Sequence, residues 1–495
     1  MVKGYKDIIS NYFENHSFVE SNIKSFNRFV DKDLPTIVNN VGEIIPTIIP
    51  QEVENFKIKL SDIKVGMPKI TEADGSKRDL YPVEARLRKL TYAAPITLNV
   101  SAHINDVQRE TFTTEVGRLP IMLKSKFCHL EKLKKKELIK HGEDPYDYGG
   151  YFILNGNERV LINVEDLASN KLFVKKSAIG ASKWIGKLYS EHTNYRIPHT
   201  LEQMKDGSLQ ISFSRFQRVP VIAIIKALGL TKDQEIMEFI SSDKVYDDII
   251  LNLYESVDLK TQNEALEFLA KKVGMPQKEL REERTLEQLD RYLLPHIGMT
   301  SKDRIYKAYN LCKLIKRFLK ITADGVEPMN QDHYVNKRLK QSGDLLNDLF
   351  KVNMRSLVQD MLYNFQRLVK RGKFSSIKII IREQLLSSRI KSAMATGSWP
   401  GGRAGISQNI SRVNAVDTTS HTQRVASLLT ASQENFEARA LHSTHWGRLC
   451  PVETPEGTPI GLRKNLALLS NVTDTEPVEE KIIKLLESNG MRKIE

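Results

Sequence analysis

Leu346, Leu349, Phe350, Met354, Leu357, Met361, Phe365 and Leu368 recur at steps of three and four residues, which puts them on one face of a long helix. Such a stripe is a packing face. Val221 to Leu228 is almost wholly apolar and reads as a helix closed by Gly229, and Thr231-Lys232-Asp233-Gln234 reads as a capping box opening the next helix. Glu235 to Ile240 continues that helix, and helical patterning dominates onward to Lys320, before the turn-rich Ala323 to Pro328. Nearer the start, Tyr151–Leu154 and Arg159–Ile162 read as two short strands about Asn155-Gly156, a pair suited to a turn with positive φ. Leu119 to Leu123 predicts another buried strand. It runs into a basic stretch holding Lys124, Lys126, Lys132, Lys134, Lys135, Lys136 and Lys140. A solvated helix face is the ordinary use of such a stretch, and a phosphate-facing surface is the alternative. A second basic stretch, with Arg367, Lys370, Arg371, Lys373, Lys378, Arg382, Arg389 and Lys391, faces only one acid, Glu383. From Ala395 to Ser470 clean periodicity gives way to Gly, Pro, Ser, Thr and isolated Arg and His. Long irregular segments within a compact protein are functional or disordered, and Trp399, Phe436 and Trp446 argue against disorder here. Pro477 to Glu495 predicts a charged amphipathic helix that docks on another polypeptide. No internal repeat and no low-complexity block is present.

The chain has 495 residues, a length that suggests roughly three domains at about 150 residues each. With 40% hydrophobic and 27% charged residues it is an ordinary globular composition, too apolar for a disordered tail. No stretch approaches the ~20 apolar residues of a membrane span, and the N-terminus lacks a signal-peptide core, so no membrane role and no export are expected. The formal charge of +13 and the pI near 9.3 favour a polyanionic partner without specifying a fold. Cys128, Cys312 and Cys450 are far apart and odd in number, so neither a disulfide framework nor a CxxC zinc pair is expected, and a reducing cytoplasm fits.

Candidate chemistry narrows the choice further. There is no GxxxxGK[ST] loop, no GxGxxG after a strand and no DxD. Metal-assisted phosphoryl transfer needs several convergent carboxylates, and no local cluster offers them. His442, His445 and Cys450 supply three candidate zinc ligands with no second pair, and polar residues in a packed loop account for them as well. The richest segment is Ala395 to Gly405. There Gly401, Gly402 and Gly405 let backbone approach a ligand, Arg403 can fork onto a phosphate, and Trp399 can stack. Ser420 to Arg424 and Arg439 to Arg448 add cations and amide donors. Glu453 and Glu456, beside a Pro-Gly turn, offer two readings, a catalytic pair or, the better one, acids that orient neighbouring arginines.

The runs ATGSWPGGRAGISQ, SHTQRVASL and FEARALHSTHWGRLCPVETPEGTPIGLRKNLAL strongly resemble the second-largest subunit of multisubunit DNA-directed RNA polymerases. Upstream, GRLPIMLKSKFCHL, GGYFILNGNERVLI, RVPVIAIIKALG and DHYVNKRLKQSGDLLNDLF look like the same family in the same order, over about residues 80 to 475. The Trp-Pro-Gly-Gly-Arg form is similar to archaeal members. The extent of the chain resembles the N-terminal part of an archaeal second-largest subunit encoded as two polypeptides, B double-prime and B prime.

The resemblance implies an α+β, multidomain fold: a protrusion at 1–165 and 328–392, a lobe inserted at 166–327, a fork at 393–470, and the start of a further domain at 471–495 that the partner chain completes. It implies that Trp399, Gly402 and Arg403 lie near the downstream edge of the bubble and that Gln408, Arg412, His421 and Arg424 line the RNA–DNA hybrid path. Arg448 and Glu456 would lie close to the active centre, and Lys464 would bind nucleic acid. Asn409–Ser411 and Val413–Thr419 depart from the family's pattern. The family's catalytic Mg2+ belongs to the largest subunit, and its zinc site to the C-terminal half, so this chain is expected to hold no metal and no catalytic residue. The implied partners are the C-terminal half of the same subunit (B prime), the largest subunit and other polymerase subunits, the DNA template and the hybrid, in the cytoplasm. A free-standing single-strand-binding protein and a self-sufficient nucleotidyltransferase are the competing classes. Aromatic residues at only 7% disfavour the first, and the missing carboxylates disfavour the second.

Overall fold

The computed structural model describes residues 7–491 apart from 8, 10, 14–15, 50–52, 106, 178–179, 193–194, 242–243, 275–280, 373–375, 433 and 474–478. The fold is α+β, in two compact units: Met1–Asp166 together with Leu339–Glu495, and Leu167–Arg338. In the first unit a helix, α1 (Glu20–Arg28), precedes an antiparallel sheet of β1 (Phe56–Val65), β2 (Ala93–Ile104) and β3 (Val107–Pro120), with the short strand Glu43–Ile44 on the far edge of β1. Ile96, Leu98, Val100 and Ala102 alternate inward along β2, which is the period of a half-buried strand. Leu119 and Pro120 end β3, while Ile121 to Leu123, predicted to extend a strand, are buried outside any strand. The predicted hairpin forms as β4 (Phe152–Leu154) and β5 (Asn157–Leu161), joined by Asn155 at φ 51° and Gly156 at φ 79°. Strand β6 (Asn163–Leu167) follows directly.

The second unit has a five-stranded antiparallel sheet in sequential order: β7 (Leu172–Lys176), β8 (Ser182–His192), β9 (Tyr195–Met204), β10 (Leu209–Phe213) and β11 (Phe216–Pro220). Helices α2 (Val221–Ala227), α3 (Asp233–Ile240), α4 (Asp247–Tyr254), α5 (Gln262–Val273), α6 (Arg281–Tyr292) and α7 (Arg304–Thr322) follow. Helix α2 is buried at all its positions and Gly229 follows it at φ 109°, as its sequence predicts. The predicted capping box at Thr231 does not form: α3 starts one residue later, after Lys232, with no side-chain cap. A complete box caps α5 instead, where the Glu264 amide donates to the Thr261 hydroxyl and the Thr261 amide donates to Glu264.

The chain re-enters the first unit through α8 (Ser342–Lys370), the long helix its stripe predicts. Leu346, Leu349, Phe350, Met354, Leu357, Met361 and Phe365 are all buried. At its N-terminal end the helix touches α1 almost backbone to backbone. The Gly343 amide donates to Ser25 Oγ at 3.2 Å, and a Cβ on Gly343 would stand 2.1 Å from the Ser25 carbonyl oxygen. Gly343→Ala should therefore push α1 and α8 apart and cost about 1–3 kcal/mol, read as a lowered midpoint for this unit; an unchanged midpoint would refute the close approach.

Helix α9 (Glu383–Thr396), β12 (Ser407–Asn409), α10 (Ala415–Thr422), β13 (Arg424–Ser427), β14 (Arg463–Asn465) and α11 (Glu479–Ser488) complete the chain. Residues 393–470 do not form a unit of their own, because Trp399, Ile406 and Ile410 belong to the same core as α8 and the β4–β5 hairpin. Of the three aromatics in this stretch only Trp399 is core, while Phe436 and Trp446 are more than four-fifths exposed. The ends of the predicted C-terminal helix, and Lys373, lie outside the described residues. Among the described residues no helix is long and apolar enough to cross a membrane.

Candidate nucleic-acid interface

Helix α9 ends at Gly397, and the chain then folds back through a tight turn. The Trp399 amide donates to the Arg403 carbonyl at 2.8 Å, and Gly401 and Gly402 occupy the tip at φ 82° and 73°. A Cβ at either glycine would meet nothing, so the turn needs them for backbone conformation and not for space. The turn does not present Trp399 as a stacking face. Its indole is 4% exposed and its Nε1 donates to the Leu345 carbonyl at 2.8 Å, which anchors the turn to α8. Arg403 is equally committed: its guanidinium lies 3.1 Å from Asp166 and 3.6 Å from Asp348.

Strand β12 continues from this turn onto the hairpin, pairing Gln408 with Val160. That register sets Gln408 against His421 of α10. The Ser411 amide donates to His421 Nδ1 at 3.0 Å, so the ring proton sits on Nε2 and donates to Gln408 Oε1 at 3.2 Å; Gln408 Nε2 then donates to the Gly405 carbonyl at 3.1 Å. Burial, and then the charge of Arg424, hold the His421 imidazole down to about 4. It is therefore neutral at pH 7, and this chain of donors and acceptors is fixed in one direction.

Arg412 belongs to a different arrangement. It donates from Nε to Glu158 at 2.7 Å and from Nη2 to Asp147 at 3.2 Å, and it lies over the Tyr151 ring at 4.9 Å. Glu158 gives its other oxygen to Arg86 at 2.7 Å, and Arg86 also holds Glu143 at 2.8 Å and the Tyr151 hydroxyl at 2.9 Å. Burial opposes ionisation of Asp147 and Glu158, yet Tyr151 and Arg412 at the first, and Arg412 and Arg86 at the second, keep both below the usual carboxylate range. Burial pushes the Tyr151 hydroxyl up, so it stays a donor.

Strands β13 and β14 carry the remaining cations. Arg424 pairs with Asn465, Val425 with Lys464 and Ala426 with Arg463, so side chains alternate between two faces. One face turns inward. There Lys464 reaches Glu165 at 3.1 Å and 3.2 Å, with both residues under a tenth exposed. The other face carries Arg424 and Arg463, diagonal neighbours about 7–8 Å apart at the backbone. Neither makes a side-chain hydrogen bond or an ion pair among the described residues, and both lie close enough to His421 to lower its pKa. Asn465, on this same face, donates to Glu453 at 2.7 Å, and Ser420 also donates to that carboxylate. Glu453 thus organises neutral partners, not arginines, and Glu456 is exposed without a partner among the described residues. Arg448 is exposed and donates to the Thr444 carbonyl at 3.1 Å.

The geometry therefore gathers Gln408, His421 and Arg424 from the sequence candidates. It places Trp399 and Lys464 inside, ties Arg403 and Arg412 to acids, and leaves Arg448 and Glu456 on separate turns. Arg463 is the residue that sequence reasoning passed over, and its signal was the two-residue spacing from Asn465 on the strand facing Arg424. Among the described residues no three His, Cys, Asp or Glu side chains converge so as to hold a metal ion, His442, His445 and Cys450 included.

Comparison with known proteins agrees with this architecture. A family profile described as RNA polymerase beta subunit matches residues 17–389, and one described as RNA polymerase Rpb2, domain 3, matches residues 408–472. The chain is 40% identical to the DNA-directed RNA polymerase subunit Rpo2N of Methanocaldococcus jannaschii, over 98% of this chain and 99% of the relative. It is 37% identical to the Rpo2N of Halobacterium salinarum, over 99% of this chain and 96% of the relative. Against the DNA-directed RNA polymerase subunit Rpo2 of Saccharolobus solfataricus it is 39% identical over 94% of this chain, and it spans only 41% of that relative's length. With one profile running through most of both compact units and Rpo2N relatives matched nearly end to end, the chain belongs to the RNA polymerase beta subunit (Rpb2) family.

Proposed function

We propose that this chain is the N-terminal part of the split second-largest subunit of a cytoplasmic DNA-directed RNA polymerase and forms one wall of its DNA and hybrid channel. The assembly copies DNA into RNA by nucleotidyl transfer from the four NTPs. As the family resemblance implies, the catalytic Mg2+ is assigned to the largest subunit, and no step of the chemistry is routed through this chain. Its partners in this reading are the C-terminal half of the same subunit, the largest subunit, the template and the RNA–DNA hybrid. In the same reading residues 328–392 and 1–165 are the protrusion, 166–327 the lobe and 393–470 the fork.

The observation that carries the reading is the pair Arg424 and Arg463: two guanidinium groups on one face of a strand pair, free of carboxylate partners among the described residues. A phosphodiester offers such groups charge-assisted bidentate bonds without reading sequence. Neutral His421 leaves the site's positive charge on the two arginines and holds Gln408 as a fixed polar wall. In polymerase reconstituted with Arg424→Ala/Arg463→Ala, elongation complexes should dissociate at lower salt, with the salt slope reduced by about 2, close to one for each phosphate no longer held. An assembled variant with the salt sensitivity of the parent would overturn the reading.

A further inference from the structure

A second cationic surface lies on the same unit, away from the residues above. Between residues 367 and 391 there are eight Lys or Arg and one acid, Glu383. Arg382 is neutralised by Asp360, to which its Nε donates at 2.9 Å. Arg367, Lys370, Arg371, Lys378, Arg389 and Lys391 are exposed and make no ion pair among the described residues. Three of them are gathered by the packing. The bond from Arg382 to Asp360, and that from Asn364 Nδ2 to the Ile380 carbonyl at 3.4 Å, turn this face of α8 toward the 3₁₀ turn Ile377–Ile380. Arg367 lies seven residues beyond Asp360 and continues that face, Arg371 caps the helix end one turn later, and Lys378 stands in the 3₁₀ turn that the face meets. On α9, which Arg382 precedes as its N-cap, Arg389 is exposed in the second turn. Glu110, the nearby acid on β3, is turned away from them: it accepts from the Ser376 hydroxyl at 2.5 Å and from the Ile377 amide at 3.3 Å.

We infer that this face of α8 and α9 is a second nucleic-acid-binding surface that takes the phosphates of a duplex. Neighbours at three- and four-residue steps on a helix stand about 5–6 Å apart, a spacing that serves successive phosphates of one strand. The composition favours nucleic acid over an acidic protein. Protein interfaces are depleted in Lys and centred on contiguous apolar residues, whereas the described residues from 363 to 391 expose six unpaired cations, three lysines and three arginines, and two isolated large apolar side chains, Tyr363 and Ile379. The surface requires none of the residues assigned to the fork, so it stands or falls apart from that assignment.

The test measures binding of the full chain to a 30-bp duplex (~30 pairs, several turns, enough to cross the surface) by fluorescence anisotropy over a salt series. The triple variant Arg367→Ala/Arg371→Ala/Lys378→Ala should lose about tenfold in affinity, with a salt slope lower by about 2–3. A control with the same loss of net charge, Lys183→Ala/Lys187→Ala/Lys205→Ala, removes three exposed lysines of the second unit and should change affinity less than about twofold. Equal losses in the two triples would overturn the inference, since only net charge would then matter. Retained duplex binding with lost binding to poly-glutamate would also overturn it, in favour of an acidic protein. If the triple variant melts lower than the parent, Lys378→Ala/Arg389→Ala, on two different elements, gives the same reading with a slope lower by about 2.

Discussion

Replacing Lys464 with Met should destabilise the first unit by about 3–5 kcal/mol, because it takes from buried Glu165 the ammonium that bridges both carboxylate oxygens. Lys464 Nζ bridges both oxygens of a carboxylate that is 6% exposed, at 3.2 Å and 3.1 Å. Within a sheet that pairs β13 parallel to β6, no water-filled space is needed for the two to meet. The double variant Lys464→Met/Glu165→Leu should recover most of the loss, since a buried pair exchanged for apolar groups of similar volume is close to neutral. The resemblance implies that Lys464 binds nucleic acid, and the same double variant decides whether it does. If the lysine serves only the sheet, polymerase carrying the double variant keeps the parent's salt stability in elongation. If it leaves Glu165 to hold a phosphate, stability returns and salt resistance does not. Hydrogen exchange over Arg424–Ser427 reads the first quantity and elongation-complex lifetime reads the second. A single variant that costs less than about 1 kcal/mol would show that the pair is not closed in solution.

The parts of this molecule that were legible in the sequence are those where one period and one environment persist. The α8 stripe runs for several turns against a single core, so its spacing alone places Leu346 through Phe365 inside. The Asn155-Gly156 turn is legible because few residues accept its backbone angles. The sheet β7 to β11 was hidden for the opposite reason. Along β9 the inward positions are Ile197, His199, Leu201 and Gln203, so polar side chains interrupt the alternation that would announce a strand. They are tolerated because each has a local answer: His199 Nδ1 lies 3.0 Å from the Ile197 carbonyl, the Leu294 amide donates to Nε2 at 3.1 Å, and Gln203 donates to Asp248 at 2.8 Å. At the candidate site the residue types were legible and their assignments were not. Arg403, Arg412, Arg424 and Arg463 look alike as letters, yet two are held by carboxylates from distant segments and two are not. Which is which depends on Asp166, Asp348, Asp147 and Glu158, none of them adjacent in sequence.

Arg86→Met should have an effect of similar size to the loss of Lys464, with a pH signature of its own. Arg86 is the hub that joins Glu143, Glu158 and Tyr151, and through Glu158 it is coupled to Arg412. Glu143 is 8% exposed, so removing the guanidinium leaves it uncompensated and leaves Glu158 with Arg412 alone; the expected cost is about 3–5 kcal/mol at pH 7. The sign of its pH dependence follows from Glu158. In the parent, the pKa of Glu158 is depressed, so its contribution is complete above the unfolded value near 4.5 and fades as pH falls through the folded one. In the variant, burial acts with one cation fewer against it, and the folded pKa rises. Protonation then relieves the folded variant at a pH where the parent is still fully stabilised. The gap between parent and variant should therefore narrow as pH falls from about 7.5 to 5, when it is measured as protection of the Phe152–Leu161 amides, which report this unit apart from the other. A gap that stays constant over that range would mean that the carboxylates do not sense Arg86, and that the loss comes from packing of its side-chain stem alone.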